Sequence, residues 1–209
     1  MIDWLSRLWS RPVPARWVVV DVETSGLQAS DQLLSIGAVA VENGRICLSD
    51  SLDLVLRQTN TSSIQNILVH GIGGQAQLQG TDPEQACTTF LDYVRSSPLI
   101  AFHAGFDRGF LARAIKHYLN LPLGNAWLDL AQLAPALHPE VHAETLDDWL
   151  AVYGIEPVAR HTAAGDALST AQLLLRLMAD AGPKRGRDFV QLQRAAAQAR
   201  WLQGSARRH

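Results

Sequence analysis

Two carboxylates stand two positions apart at the end of an apolar run, in Trp17-Val18-Val19-Val20-Asp21-Val22-Glu23. On a strand, residues i and i+2 leave from the same face, so Asp21 and Glu23 stand side by side. Like charges placed this way repel, and burial worsens the repulsion unless a proton or a cation lies between them. A polyvalent metal ion is the simplest cation that fits; the bland alternative is a pair of strand-end acids facing water. Two further acids bear on the choice. Asp107 follows the short apolar run Leu99-Ile100-Ala101-Phe102, and Asp166 closes His161-Thr162-Ala163-Ala164-Gly165-Asp166. Five residues of ideal helix turn through about 500°, so His161 and Asp166 would point roughly 140° apart if both were helical. They converge only if His161 precedes the helix on a loop that folds back. Ala163, Ala164 and Gly165 are small enough to let that segment pass close to the strand carrying Asp21 and Glu23.

Four acids thus come from three segments, with a histidine beside the last. Oxygen ligands of this kind suit Mg²⁺ or Mn²⁺ rather than zinc. Two such ions about 3.5–4 Å apart can activate a water and stabilise the leaving oxygen in phosphodiester hydrolysis.

The elements that must position these residues are legible in the pattern. The β-branched run Trp17–Val20 predicts a strand buried on both faces, ended by Thr24-Ser25-Gly26. After a polar loop, Gln28–Asp31, residues Leu33–Val41 predict a second strand. Asn43-Gly44 marks a hairpin turn, and Ile46–Leu56 a third strand with Ile46, Leu48, Leu52, Leu54 and Leu56 on one parity. Ile64–His70 predicts one or two helical turns, and Gly71, Gly73 and Gly74 a surface turn, since no phosphate-binding pattern follows them. Thr81 or Asp82 caps a helix with Pro83 in its first turn. Leu99–Phe102 reads as a parallel core strand, followed by a helix from near Asp107. Trp127–Leu137 is a short strand or helix, Thr145–Tyr153 a helix closed near Gly154, and Thr162–Ala181 the last core helix. Phe189, Leu192, Ala196 and Ala199 have helical spacing in a final basic segment, which would dock on the body or on another chain. Strand ends of an open α/β sheet are where ligands collect.

Composition sets outer limits. The chain has 209 residues, 47% hydrophobic and 18% charged, enough for a core and too apolar for a disordered chain. No apolar run is long enough to span a membrane. Residues Met1–Pro14 lack the apolar core of a signal peptide and read as a short amphipathic arm; a cytoplasmic location is expected. Cys47 and Cys87 have no metal or disulfide spacing and are expected to be buried free thiols. From Trp17 to Pro183 there are 18 acids against 8 Lys and Arg, whereas Lys184–His209 carries 7 Lys and Arg against Asp188 alone. An acidic body does not grip nucleic acid by bulk charge, so action on a phosphodiester would need bound cations to supply it. There is no G-x-S-x-G elbow to make Ser25 a nucleophile. Pro139 spoils His138-Pro139-Glu140-Val141-His142 as a zinc helix. Asp129 and Glu144 are expected to be surface or capping acids, and His70, His103, His117, His138 and His142 surface or structural.

Three segments carry a resemblance. Val20-Asp21-Val22-Glu23-Thr24-Ser25-Gly26-Leu27, Phe102-His103-Ala104-Gly105-Phe106-Asp107 and His161-Thr162-Ala163-Ala164-Gly165-Asp166-Ala167 resemble, in order, the three motifs of the DEDD 3′→5′ exonucleases. The His-x4-Asp form of the third points to the DEDDh branch, which includes the proofreading epsilon subunit of bacterial DNA polymerase III, ribonuclease T and oligoribonuclease. The likeness runs from about Trp17 to Ala181. It implies that Asp21, Glu23, Asp107 and Asp166 hold two Mg²⁺ or Mn²⁺ ions and that His161 is the general base, a task suited to an imidazole near neutral pH. It also implies that Thr24 and Leu27 contact the 3′-terminal nucleotide and that Phe106 lies beside it; a core role for Phe106 is the alternative. His103 departs from the Asn common in the polymerase subunit.

The fold expected is a ribonuclease H-like α/β domain, a mixed sheet of about five strands with helices on both faces, over residues 17–183. An N-terminal arm (1–16) and a basic C-terminal helix or tail (184–209) would flank it. The function expected is a metal-dependent 3′→5′ exonuclease releasing nucleoside 5′-monophosphates from single-stranded or frayed 3′ ends, of DNA in proofreading or repair. The alternatives are an exoribonuclease of the ribonuclease T or oligoribonuclease kind, or a module that docks on a DNA polymerase or another replication or repair protein.

Overall fold

The computed structural model describes residues 16–28 and 30–206. The arm expected over residues 1–16 lies outside these, save Arg16, as do the last three residues of the basic tail. The sheet forms around β1 (Arg16–Thr24), in the strand order β3-β2-β1-β4-β5. β2 (Leu33–Glu42) and β3 (Arg45–Val55) make the antiparallel half, joined by the Asn43-Gly44 turn with φ of 52° and 76°. β4 (Leu99–Ala101) and β5 (Trp127–Asp129) make the parallel half.

Alternation along β1 divides the core. Trp17 and Val19 face one side, where they pack with Ala171, Leu174 and Leu177 of α7 (Ala163–Asp180), Leu133 of α5 (Leu130–Leu137) and Trp149 of α6 (Leu146–Val152). Val18, Val20 and Val22 face the other, against Ala86, Phe90 and Val94 of α3 (Pro83–Val94) and Phe110, Leu111 and Ile115 of α4 (Ala104–Leu119). Full burial of such side chains contributes about 1.5–3 kcal/mol each. Asp21 and Glu23 continue the parity of Trp17 and Val19, so they are aimed at the α7 side.

The helix starts are those the sequence announces. Asp82 accepts from the Glu84 N–H at 3.1 Å and Pro83 occupies the first turn of α3. Thr145 and Asp148 cap α6 reciprocally, and Thr162 caps α7 by accepting from the Gly165 N–H at 3.2 Å. The stretch Trp127–Leu137 is both strand and helix, hinged at Asp129.

Three expectations need correction. In β3, a bulge sets Cys47 opposite Ala40 but Ser51 opposite Val39, so parity breaks and Leu48 is 64% exposed. The bulge presents Asp50 to Arg16, which binds both carboxylate oxygens at 2.8 and 3.1 Å. The glycines after His70 are helix punctuation rather than a plain surface turn. Gly71 caps α1 (Ile64–His70) in the left-handed region, and Gly73 precedes α2 (Gly74–Gln79), a helix its polar sequence hid. Cys87 is buried, its thiol pushed up to about 11 by burial, but Cys47 is only half-buried.

The basic segment after Pro183 forms α8 (Phe189–Ala206) and docks on the body. Phe189 meets the Trp17 ring edge-on at 5.6 Å, and Leu192 is fully buried in the same core. Among the described residues, no helix is long and apolar enough to cross a membrane.

Candidate metal centre

The site lies where β1 outruns β4. β4 pairs with β1 only at Val18 and Val19, and the chain then turns into α4 through His103, whose φ is 61°. Asn and His are among the non-glycine residues enriched in that left-handed conformation, so His103 serves the turn as Asn would. Asp129 holds the turn from below: its Oδ1 accepts from the His103 N–H at 3.1 Å and from the Ala131 N–H at 3.0 Å. Asp129 is thus a capping acid, as expected, but one that steadies the turn leading to Asp107.

α4 begins three residues before Asp107, placing that acid in its first turn. Asp107 is 3% exposed, and its Oδ1 accepts from the Val22 N–H at 3.1 Å. The Val18 N–H, on the same edge of β1, donates to the Pro98 carbonyl at 2.9 Å. Where the neighbouring backbone has left the sheet, a buried carboxylate takes over as acceptor.

Asp166 arrives from the other side. The N-terminus of α7 rests on β2 at Gly37, the residue opposite Asp21. A Cβ on Gly37 would stand 2.0 Å from the Ala163 carbonyl carbon, and one on Gly165 would stand 1.8 Å from the Ala159 oxygen. The close passage expected of this segment is made against β2, where Gly37 admits the helix start, while Gly165 makes room for the Ala159 carbonyl of the preceding turn. His161 precedes the helix on a folded-back turn with φ of 60°, and its backbone N–H donates to Asp166 Oδ2 at 3.2 Å. Its side chain is exposed.

Carboxylate oxygens of Asp21, Glu23 and Asp166 lie within 4.8 Å of one another. Asp107 stands outside that close group but is the strongest charge acting on Asp21. Burial raises the Asp21 carboxyl well above its ordinary range, with Asp107, Asp166 and Glu23 adding to it. Burial and then Asp166 push Glu23 up to about 7. Asp107 is raised as well, by burial, despite its hydrogen bonds. An all-oxygen cluster whose members resist ionising together is what a hard divalent cation relieves, so these residues fit Mg²⁺ or Mn²⁺.

One participant escaped the sequence reading. Arg160 donates through Nη1 to Asp166 Oδ1 and through Nε to Asp147 Oδ1, the latter at 2.6 Å. The signal was present, an arginine directly before His161, but a lone arginine between loop residues says nothing of where its guanidinium goes.

The remaining expected positions lie on, or just after, the elements that carry the acids. Thr24 Oγ donates to the Gly26 carbonyl at 2.6 Å, just past a register shift between Glu23 and Thr24. Leu27 is 86% exposed. Asp31 closes this loop by accepting from the Gln28 N–H at 2.7 Å, and Asn66 of α1 donates to the Ser25 carbonyl. Phe106 is half-buried with its ring 4.8 Å from that of Phe110, so it belongs in part to the core. His70 is structural: its Nδ1 accepts from the Ile72 N–H at 3.0 Å in a buried setting. His138 is engaged elsewhere, 3.0 Å from Asp180 and 3.4 Å from Glu140.

Comparison with known proteins agrees with this geometry. The family described as Exonuclease (RNase T) matches residues 18–174. The PolC-type DNA polymerase III of Bacillus subtilis is 31% identical over 170 residues, 80% of this chain and 12% of the polymerase. The chain thus spans about an eighth of the length of such relatives. Among solved structures, E. coli exonuclease I superposes with a TM-score of 0.69 at 17% identity, over 80% of this chain and 42% of that one. Exonuclease X does so with a TM-score of 0.68 at 22% identity, over 86% of this chain and 99% of that one. These two likenesses are of fold, the ribonuclease H-like one. From the family match and the polymerase relatives, the chain belongs to the DEDDh-type 3′→5′ exonuclease family.

Proposed function

We propose that this protein is a metal-dependent 3′→5′ exonuclease that removes nucleoside 5′-monophosphates from single-stranded or frayed DNA ends. The observation that carries the reading is the convergence of Asp21, Glu23 and Asp166 from two elements onto one point, with buried Asp107 beside them. DNA is favoured over RNA because the sequence relatives are DNA polymerases. Exonuclease X was solved with 5′-overhanging duplex DNA, and E. coli exonuclease I with a dT13 oligonucleotide, which fits the same reading. Since the relatives carry this region within a polymerase, a polymerase or other replication or repair protein is the proposed partner.

Asp21, Glu23, Asp107 and Asp166 would hold two Mg²⁺ or Mn²⁺ ions. Such ions, when bound, supply positive charge to the phosphodiester and make a water easier to deprotonate. The chain's own residues do the rest. His161 takes the proton of the attacking water on its imidazole. Its backbone N–H is tied to Asp166, so the base is fixed to the carboxylate it serves. Thr24 and the open Leu27 side chain receive the terminal nucleotide on the rim, with Phe106 flanking it. Burial of Asp107 and its bond to Val22 hold that carboxylate rigid before substrate arrives.

Digestion of single-stranded, 3′-recessed and mismatched DNA beside matched RNA, with Mg²⁺ or Mn²⁺, tests the assignment by its products. The parent should release 5′-monophosphates from DNA, and a folded Asp21→Ala variant should release none. Undiminished cleavage by that variant would end the proposal. Faster release from RNA would move it to the exoribonuclease reading.

A further inference from the structure

The acidic cluster has a cation of its own. The Arg160 guanidinium spans two carboxylates on different elements, Asp166 at the start of α7 and Asp147 in the first turn of α6. The two anchors are unequal. The Asp166 side chain is 10% exposed, that of Asp147 60%, and that of Arg160 lies between at 22%. Arg160 also acts on the rest of the cluster, opposing the upward shifts of Asp21 and Glu23. Between them, Arg160 and His161 occupy both oxygens of Asp166, one by guanidinium and one by backbone N–H. A divalent ion binding Asp166 must contend with those donors, and the guanidinium is the one that can move.

We propose that Arg160 competes with divalent cations for Asp166, and that Asp147 is the second anchor keeping the displaced guanidinium at the rim. The inference rests on the metal-dependent reading above. A planar fork with donors fixed in different directions can hold one carboxylate while releasing another, whereas an ammonium is a compact point charge without that fixed geometry. Before metal arrives, Arg160 offsets the mutual repulsion of the acids. Once metal is bound, the same charge stays on α6 at the mouth of the site. Metal occupancy is thereby set by an exchange of cations.

Calorimetric titration of Mn²⁺ into the purified protein tests this without reference to nuclease activity. Arg160→Gln should bind Mn²⁺ about tenfold more tightly than the parent, because a charge-assisted competitor is gone. Its metal-free melting temperature should fall, and Mn²⁺ should raise it by more than in the parent. Asp147→Asn should weaken Mn²⁺ binding, since Arg160 then leans on Asp166 alone, and that weakening should vanish in the Arg160→Gln background. Arg160→Lys, which keeps the charge but loses the fork, should bind more tightly than the parent. A folded Arg160→Gln protein that binds Mn²⁺ no better than the parent overturns the proposal, as does Arg160→Lys matching the parent. Should neither parent nor variants bind Mn²⁺, the metal-dependent reading itself fails and takes this proposal with it.

Discussion

Gly37 lies directly opposite Asp21 in the β1–β2 ladder, and the start of α7 rests on its bare Cα. The helix that brings Asp166 is therefore seated on β2 at the residue paired with Asp21, with no room there for a methyl group. Gly37→Ala should push the α7 terminus off β2. Overpacking of this kind costs roughly 1–3 kcal/mol, read as a lower urea midpoint. Mn²⁺ affinity should fall with it, since Asp166 moves relative to Asp21. A variant with the parent's midpoint and Mn²⁺ affinity would show that α7 is placed by other contacts.

His161 touches Asp166 through its backbone N–H, and its side chain is exposed. Replacement by Asn keeps a residue suited to the left-handed conformation at this position. His161→Asn should lower kcat by about 10²–10⁴-fold, the usual worth of a general base, while Mn²⁺ titration stays close to the parent's. Equal turnover by the two proteins would remove His161 from the chemistry.

The cluster also makes stability depend on pH in a predictable sense. Glu23 sits at about 7 against an ordinary 4.5, so the native state holds its proton where the unfolded chain has lost it. Stability from this source is fully present below pH 4.5 and declines as pH rises toward 7. Asp21 and Asp107 are raised too and act in the same direction. In EDTA, the urea midpoint should drop between about pH 5 and 8, and Mn²⁺ should flatten the decline near neutrality. A midpoint that climbs with pH in EDTA would mean the acids are already compensated.

Leu27 is the most exposed large apolar side chain beside the site, at 86%. Leu27→Ala should leave the melting temperature unchanged, because nothing packed is lost. It should raise KM for a single-stranded 3′ end several-fold, on the order of one apolar contact. An unchanged KM would place the terminal nucleotide elsewhere on the rim.

What the sequence disclosed follows from how local each signal is. The parity of Asp21 and Glu23, a cap at Thr81 or Asp82, helix starts near Thr145 and Thr162, and the Asn43-Gly44 turn are decided within a few residues; the structure bears them out, with Asp82 as the cap. The fold-back of His161 was legible because helical geometry excluded the alternative. The bulge at Leu48–Asp50 was not, since it answers to Arg16, 34 residues away from Asp50. α2 was hidden by polar residues and glycines that carry no periodicity. Arg160 was missed for the same reason as the bulge: its partners lie 13 and 6 residues off, in directions only the assembled helices define. Of the two roles open to Asp129, surface or capping, the structure has the capping one, and its hold on His103 needs β5 beside β4 to be visible.

β4 is three residues long, and its brevity has a consequence. Had it run on beside β1, backbone carbonyls would have claimed the Val22 N–H and left Asp107 without its seat. The seat of Asp107 is in this sense an unfinished ladder, with a side chain substituted for the missing rung. Sequence changes near Phe102 that favour extended structure would then displace Asp107 without replacing an acid, by completing the sheet.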